Sequence, residues 1–573
     1  MRMLFSYLKP HLGKMSLGMG IKFISAIMDL LLPWCLATII DRVIPTRSVN
    51  AILLWGGIML TCSVLAWISN ITANRIAGRV ARDTIERMRH DLFERISTLS
   101  CAQVDGYTIP SLISRVTSDT YNIHGMINMI QRMGIRAPIM LLGGIAITLT
   151  LEPVLAGLLL ATLPFLAVII VTISRKGIPL YTQLQKSVDR MVQVVRENIV
   201  GIRVIKALSK VEYERGRFDS VNRGVIDREM TAGLTMAVTN PSVNLILNLG
   251  LTLIIIAGAY RVNSGVSLPG AIIAFMSYFT IILNAMMSVN RMFIMYSRGS
   301  ASAARIAEVL DTPEDLLLQP AEPKAAAEDA HVAFSHVNFA YPGMEATLRD
   351  ISFSLKKGET LGIIGATGSG KTAILNLLLR LYEADSGSIT IDGLPVSAIP
   401  PEELYPKFGI VFQHDVLFAQ SIAENIAFGR ELPRERIEAA AQDAQALEFI
   451  DALPDRFDHQ LEIKGSNLSG GQKQRLLIAR ALAGKPEILI LDDASSALDY
   501  KTDSQLRAAI REHYAGTTTV IVAQRVSSIL HADHILVLEE GREIGYGTHA
   551  ELLESCESYR EISQSQMGGV IDG

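Results

Sequence analysis

Charge and cysteine are both scarce in this chain of 573 residues. Asp, Glu, Lys and Arg together make up 19% of it, and the formal net charge is only −4. So even a balance supplies no basic surface for a polyanion, and nucleic acid is not expected as a partner. There are four cysteines, Cys35, Cys62, Cys101 and Cys556. They lack the spacing of a metal motif or a disulfide framework and are expected as unpaired thiols. What the chain has in excess is apolar side chains, 49% of all residues, with a positive mean hydropathy. That composition points to a membrane protein.

The apolar residues are not evenly spread. Long runs crowd residues 15–300, whereas 331–573 reads as an ordinary soluble domain. Six stretches, roughly 16–40, 51–74, 134–150, 153–173, 240–260 and 269–290, approach or exceed the ~20 helical residues needed to cross about 30 Å of hydrocarbon. Residues 1–310 are therefore expected to form a transmembrane domain and 331–573 a separate domain. The intervening 311–330, rich in Pro, Ala and acidic residues, reads as a linker. The first residues, MRMLFSYLKPHLGKMS, read as an interfacial helix against the lipid bilayer.

Two long polar stretches, 75–133 and 174–239, keep a helical pattern and hold many arginines and lysines. By the positive-inside rule these loops and both termini are expected in the cytoplasm, as continuations of the membrane helices. Transverse segments that reach the soluble half are expected near Asp105–Asp119 and Leu208–Val221. Asp29 interrupts the first span. It is a candidate cavity residue, or equally a packing partner of Asn244, Asn248 or Asn284.

The soluble half carries the chemistry. TLGIIGATGSGKTAILNLLLRL predicts a strand, a glycine-rich turn and a helix. Its core, Gly365-Ala366-Thr367-Gly368-Ser369-Gly370-Lys371-Thr372, fits G-x-x-x-x-G-K-[ST]. Glycines let backbone N–H groups curl around phosphate oxygens at a helix N-terminus. Lys371 would reach the β- and γ-phosphates of ATP, and the Thr372 hydroxyl would ligate Mg²⁺. Further on, ILILDDASSALD begins with an apolar strand that presents Asp492 at its carboxyl end, the side where open α/β sheets bind ligands. Asp492 is the second candidate for Mg²⁺. Between these lies NLSGGQKQRLLIARAL, where Ser469-Gly470-Gly471 is expected to open a helix that ends at Gly484. It is a second phosphate-binding surface, which one nucleotide does not need from the same chain.

A phosphate loop, LSGGQ and ILILDD behind six spans resemble the ABC transporters, and more narrowly a half-transporter of the bacterial multidrug-exporter type. The resemblance covers essentially the whole chain. It implies a six-helix transmembrane domain with long cytoplasmic extensions, fused to an α/β nucleotide-binding domain that dimerises head-to-tail. It further implies that Tyr341 in FAYPG stacks on adenine and that Gln413 in VFQHD senses Mg²⁺ and the γ-phosphate. Leu468, Ser469, Gly470, Gly471 and Gln472 would cap a partner's ATP, and Asp499 in SSALD would cross the dimer interface.

Three positions depart from the family's pattern. The family's catalytic glutamate is Asp493 here, and its switch histidine is Gln524. The glutamate before the signature falls on Ile463, unless the neighbouring Glu462 takes that place. Asp493 and Gln524 should flank one γ-phosphate, so together they imply a degenerate site beside an intact signature. The expectation is one subunit of a heterodimeric exporter in the plasma membrane, driven by ATP and Mg²⁺ and moving amphipathic small molecules, drugs or lipids. Its rivals are a homodimeric flippase with two slow sites and an ATP-gated regulatory membrane protein.

Overall fold

The computed structural model describes residues 1–319, 330–413, 416–494 and 496–567. Half of the expected linker, residues 320–329, lies outside them. By contact the chain forms two compact units, Met1–Arg95 with Leu112–Asp311, and Ile96–Ser111 with Thr312–Gly573.

The first unit is all helix. Among the described residues, six helical stretches are long and apolar enough to cross a membrane: Arg2–Thr46, Val49–Ser97, Ile109–Leu151, Pro153–Val200, Val211–Asn263 and Pro269–Leu310. A helix rises about 1.5 Å per residue, so the Val49–Ser97 helix is roughly 70 Å long. That is about twice what a bilayer core needs, and the excess is the polar extension read from the sequence. The breaks have local causes. Glu152 is extended at φ −152° and ψ 92°, and Pro153, which has no N–H to leave unpaired, opens the next helix. Leu268 and Pro269 repeat the device.

The interior of this unit gathers on the last helix. Phe275, Phe279 and Ile282 are buried against Leu155 and Leu159, while Tyr278 faces Ala26 and Leu30. The Tyr278 hydroxyl donates to the Leu30 carbonyl at 2.6 Å, which satisfies a polar group otherwise costly to bury.

Short helices stand at or just before the two expected transverse segments. The first is the helix Cys101–Tyr107, started by a reciprocal cap between Ser100 and Gln103. It belongs to the second unit: Tyr382 donates to Asp105 at 2.6 Å, Ser100 to Asp315 at 2.6 Å, and Gln103 to the Pro313 carbonyl at 2.7 Å. The second is Ile202–Ala207, because Val211–Ala237 continues as one helix once the turn at Ser209, φ 53°, is complete.

Asp29 takes an arginine, rather than any of the three expected asparagines, as its hydrogen-bond partner, although Asn284 lines the same cavity. Its carboxylate pairs with Arg136 at 2.9 Å, from the helix Arg136–Leu151. The two charges lie in a cavity also lined by Met140, Asn284 and Ser288. A carboxylate there takes the nearest cation, and Arg136 lies just inside the third span.

Among the described residues, the second unit has ten strands: β1 (Val332–Ala340), β2 (Ala346–Leu355), β3 (Thr360–Gly365), β4 (Ser386–Ile391), β5 (Leu394–Pro395), β6 (Phe408–Val411), β7 (Ile488–Asp492), β8 (Thr518–Val522), β9 (His534–Glu539) and β10 (Arg542–Gly547). An antiparallel sheet runs β2-β1-β4-β5. A six-stranded sheet runs β10-β9-β3-β8-β7-β6, parallel except where β10 closes a hairpin on β9. β7 is buried throughout, as an apolar run covered on both faces should be. In this sheet β3, β8, β7 and β6 lie side by side, so the loops at their carboxyl ends meet.

Candidate functional site

Each of those four strands delivers part of one cleft. The glycine-rich loop follows β3, Gln524 follows β8, Asp492 and Asp493 end β7, and Gln413 follows β6. Tyr341, Thr367, Gly368, Gly370, Lys371 and Thr372 line the same cleft as Gln413, Asp492, Asp493 and Gln524. Residues from Thr367 to Gln524 converge because neighbouring parallel strands must end on one side.

The loop is held in a shape that only glycine accepts. Gly370 has φ 98°, and a Cβ there would lie 2.6 Å from Leu348 Cδ2. A Cβ on Gly365 would collide with the Leu538 carbonyl. Lys371 opens the helix Lys371–Leu378 and folds back over the loop, donating to the Gly365 carbonyl at 2.8 Å and the Ala366 carbonyl at 2.7 Å. The Ser369 hydroxyl lies 3.5 Å from the same ammonium. Burial lowers the Lys371 pKa, partly opposed by Asp492 and Asp493. A desolvated ammonium with only neutral loop oxygens to bond is suited to an anion.

Asp492 is 3% exposed, and its Oδ2 has no hydrogen-bond partner. Burial raises its pKa and the neighbouring Asp493 raises it further, against the Gln413 backbone, Lys371 and the Thr372 hydroxyl. An orphaned carboxylate oxygen beside a threonine hydroxyl is a hard-oxygen donor set, and it fits Mg²⁺.

Asp493 sits at φ 52°, a left-handed conformation that Asp tolerates better than most residues. Its N–H bonds the Val522 carbonyl at 2.9 Å and its carbonyl accepts from Gln474 at 3.2 Å. The carboxylate is half-buried, its pKa raised by burial and lowered by Arg525 and Lys371. Gln524 Nε2 donates to its Oδ2 at 3.3 Å. Gln566, on the helix Glu557–Met567, grips the Gln524 loop from behind by donating to the Gln524 carbonyl at 2.8 Å and accepting from Val526 N–H at 2.8 Å.

Gln474 and Gln566 were not singled out from the sequence. Gln474 lies four residues beyond Gly470, one helical turn along the same face, and that spacing was its only trace.

The signature lies elsewhere. Ser469 caps the helix Gly470–Ala483 through a reciprocal pair with Gln472, and Gly484 ends it. None of Leu468, Ser469, Gly470, Gly471 and Gln472 lines the cleft around Lys371. Asp499 is likewise apart. It caps the helix Tyr500–His513, accepting from Thr502 N–H at 3.0 Å and the Thr502 hydroxyl at 2.7 Å. Ile463 is 76% exposed, and Glu462 accepts a hydrogen bond from Ser466 at 2.6 Å.

A six-span helical unit joined to a phosphate-loop α/β unit with LSGGQ defines a class, the ATP-binding membrane transporters. Comparison with known proteins identifies the family. Residues 15–286 match the model of the ABC transporter transmembrane region, and residues 348–496 that of the ABC transporter ATP-binding part. The chain is 37% identical over 573 residues to YfiB of Bacillus subtilis, an uncharacterized ABC transporter ATP-binding protein, covering 99% of each. It is 32% identical over 492 residues to a fatty acid ABC transporter ATP-binding/permease protein of Mycobacterium bovis, covering 86% of this chain and 78% of that one. It resembles the structure of a bacterial Atm1-family ABC exporter with ATP bound, with TM-score 0.81 and 25% identity over 98% of each chain. The chain belongs to the ABC transporter family and has the fold of its Atm1-type exporters, which work as dimers in a lipid bilayer.

Proposed function

We propose that this chain is one half of a heterodimeric ABC exporter in the plasma membrane, with its nucleotide-binding domain in the cytoplasm. The observation that carries the proposal is the contact between Asp493 and Gln524 at one edge of the Lys371 cleft. In this reading the glycine-rich loop and Lys371 hold the ATP phosphates, and Tyr341 stacks on adenine. Asp492, Thr372 and Gln413 hold Mg²⁺, which when bound offsets the phosphate charge.

Asp493 occupies the place of the base that orients the attacking water, one methylene short. A displacement of about 1 Å costs on the order of a hundredfold in rate. Gln524 keeps a hydrogen bond to the γ-phosphate within reach but has no titratable proton to move. ATP is therefore held here and split slowly.

The signature, left outside its own cleft, completes the site of a different subunit whose phosphate loop, glutamate and histidine are intact. Solvent exposure of Ile463 and Tyr500, 76% and 87%, supports a docking face around it. The Ile202–Ala207 segment supports the same reading, since Ile202, Val204 and Leu208 are exposed in the single chain. Closure of the two ATP domains would turn the membrane cavity outward, and hydrolysis at the partner's site would reset it. The cargo is an amphipathic small molecule, a drug or lipid, in keeping with the Asp29–Arg136 pair set among Met140 and Ile281 and with the fatty acid transporter among the relatives.

The test compares the purified chain alone with the chain co-purified with a homologous half-transporter bearing the Glu/His pair. Reconstituted with that partner, it should show cargo-stimulated ATPase and uphill transport. Brisk ATPase from the chain alone favours the homodimeric flippase. Nucleotide-dependent gating without uphill transport favours the regulatory protein.

A further inference from the structure

At the opposite ends of the parallel strands from the phosphate loop, a second group of ligand-type side chains comes together. His331 precedes β1, Asp392 follows β4 and Glu487 precedes β7. One nitrogen or oxygen from each lies within 4.8 Å of the others.

The imidazole is the informative member. His331 is 3% exposed, and its Nε2 has no hydrogen-bond partner. Its Nδ1 lies 2.7 Å from the Thr518 hydroxyl. That hydroxyl accepts from the Gly358 N–H at 3.1 Å and donates toward the Lys356 carbonyl at 3.4 Å. With its proton on the Lys356 carbonyl, the hydroxyl oxygen can take a proton from Nδ1, which is the tautomer we assign to this ring. Nε2 is then left with a bare lone pair. A histidine whose other nitrogen donates to a fixed oxygen is in the tautomer and orientation of a metal ligand.

That lone pair points at anions. Asp392 Oδ1 lies 3.6 Å from Nε2 and Glu487 Oε2 lies 4.0 Å away, too far for hydrogen bonds. Two ligand atoms bound to one ion at about 2.1 Å each can be no more than about 4.2 Å apart. Both separations already fall inside that limit. The two carboxylates are 51% and 41% exposed, so an ion can enter from solvent without unfolding anything.

One cation is already nearby. Lys407 Nζ lies 2.9 Å from Glu487 Oε2 and 3.8 Å from Asp392 Oδ2. It balances one of two carboxylates and leaves Nε2 unserved. With a quarter of its side chain exposed, it has room to swing away.

We infer that His331 Nε2, Asp392 and Glu487 form a binding site for a divalent cation of the Zn²⁺ class, with Lys407 as its built-in competitor. One imidazole and two carboxylates favour borderline ions such as Zn²⁺ or Co²⁺ over Mg²⁺, which prefers an all-oxygen shell. The ion joins the start of β1 and the turn after β4, both in the antiparallel sheet, to the segment leading into β7 of the parallel sheet. The other ligand-type group, His90, Asp91 and Glu94, faces solvent on one helix and has no buried, unpartnered nitrogen.

The test titrates Zn²⁺ into the full-length, chelator-treated protein in excess Mg²⁺, by calorimetry and by thermal melting. One site should disappear in His331→Gln, and Tm should rise with Zn²⁺ in the parent only. Thr518→Val, which removes the hydrogen bond that orients the ring, should weaken binding by about 10–100-fold. Lys407→Gln should tighten it, whereas a merely structural ion pair would only lose stability. If His331→Gln fails to fold, Asp392→Asn and Glu487→Gln decide by the same loss. The proposal is overturned if binding persists in these variants, if no site is found, or if Co²⁺ shows the charge-transfer band of thiolate ligation.

Discussion

Gln524 donates its amide N–H to Oδ2 of Asp493 at 3.3 Å, so the two residues we propose as the degenerate catalytic pair touch each other. Both side chains are neutral or shortened versions of what the reaction needs. The contact gives Asp493 a partner other than water. We expect Asp493→Glu with Gln524→His to raise hydrolysis at this site by on the order of a hundredfold. The measurement is single-turnover ATP cleavage with the partner's site blocked. An unchanged rate in the double variant would remove the basis for a degenerate site.

Among the described residues, Lys371 bonds only its own loop, through the Gly365 and Ala366 carbonyls and the Ser369 hydroxyl. Truncation to Ala should therefore leave the fold intact while removing the cation meant for phosphate. A charge-assisted hydrogen bond contributes about 1.5–3 kcal/mol, so nucleotide affinity should fall by about ten- to a hundredfold. Fluorescent-nucleotide titration beside a thermal melt separates the two effects. A large loss of Tm would show that Lys371 holds the loop together.

Asp492 is buried with an unpartnered oxygen, and its pKa is raised. A carboxyl that holds its proton more tightly when folded destabilises the fold as pH rises above the ordinary carboxylate range. The ligand-free domain should therefore gain stability in Asp492→Asn, by an amount that grows as pH rises above about 4 and levels once the folded carboxyl is ionised. The same variant should lose Mg²⁺-dependent ATP binding. Melts across pH without nucleotide, then with Mg²⁺ and ATP, show whether stability and binding move in opposite directions as expected.

Asp29 and Arg136 are each about one-third exposed to the cavity they share. That lies between a surface pair, which contributes under about 1 kcal/mol, and a fully buried one, where breaking it costs about 3–5. A double-mutant cycle of Asp29→Asn and Arg136→Gln should give a coupling of about 1–3 kcal/mol. Thermal stability in detergent is the readout. Zero coupling would mean that water, not Arg136, solvates Asp29.

Local patterns with a strict physical meaning were readable in advance. The turn at Leu151–Pro153, the strand ending at Asp492 and the helix from Gly470 to Ala483 stand where their residues demanded. The transverse segments were less legible. The first starts at a cap on Ser100 and the second ends before a left-handed turn at Ser209, and neither feature leaves a periodic trace. Gln566 and Arg136 were illegible for another reason. Their partners lie 42 and 107 positions away, and nothing along the chain marks such a pairing.

The sequence by itself determined the division into a membrane half and a nucleotide half, because hydropathy and a phosphate loop are properties of contiguous residues. It also placed Lys371, Asp492 and the signature in their local elements. Only the tertiary structure decided which of these residues meet. The strand order β3-β8-β7-β6 brings Gln524 against Asp493 and sets Lys371 in the same cleft, while leaving Ser469 outside it. Strand order is set by packing across the whole sheet, and that is why the pairing at one site waits on the fold.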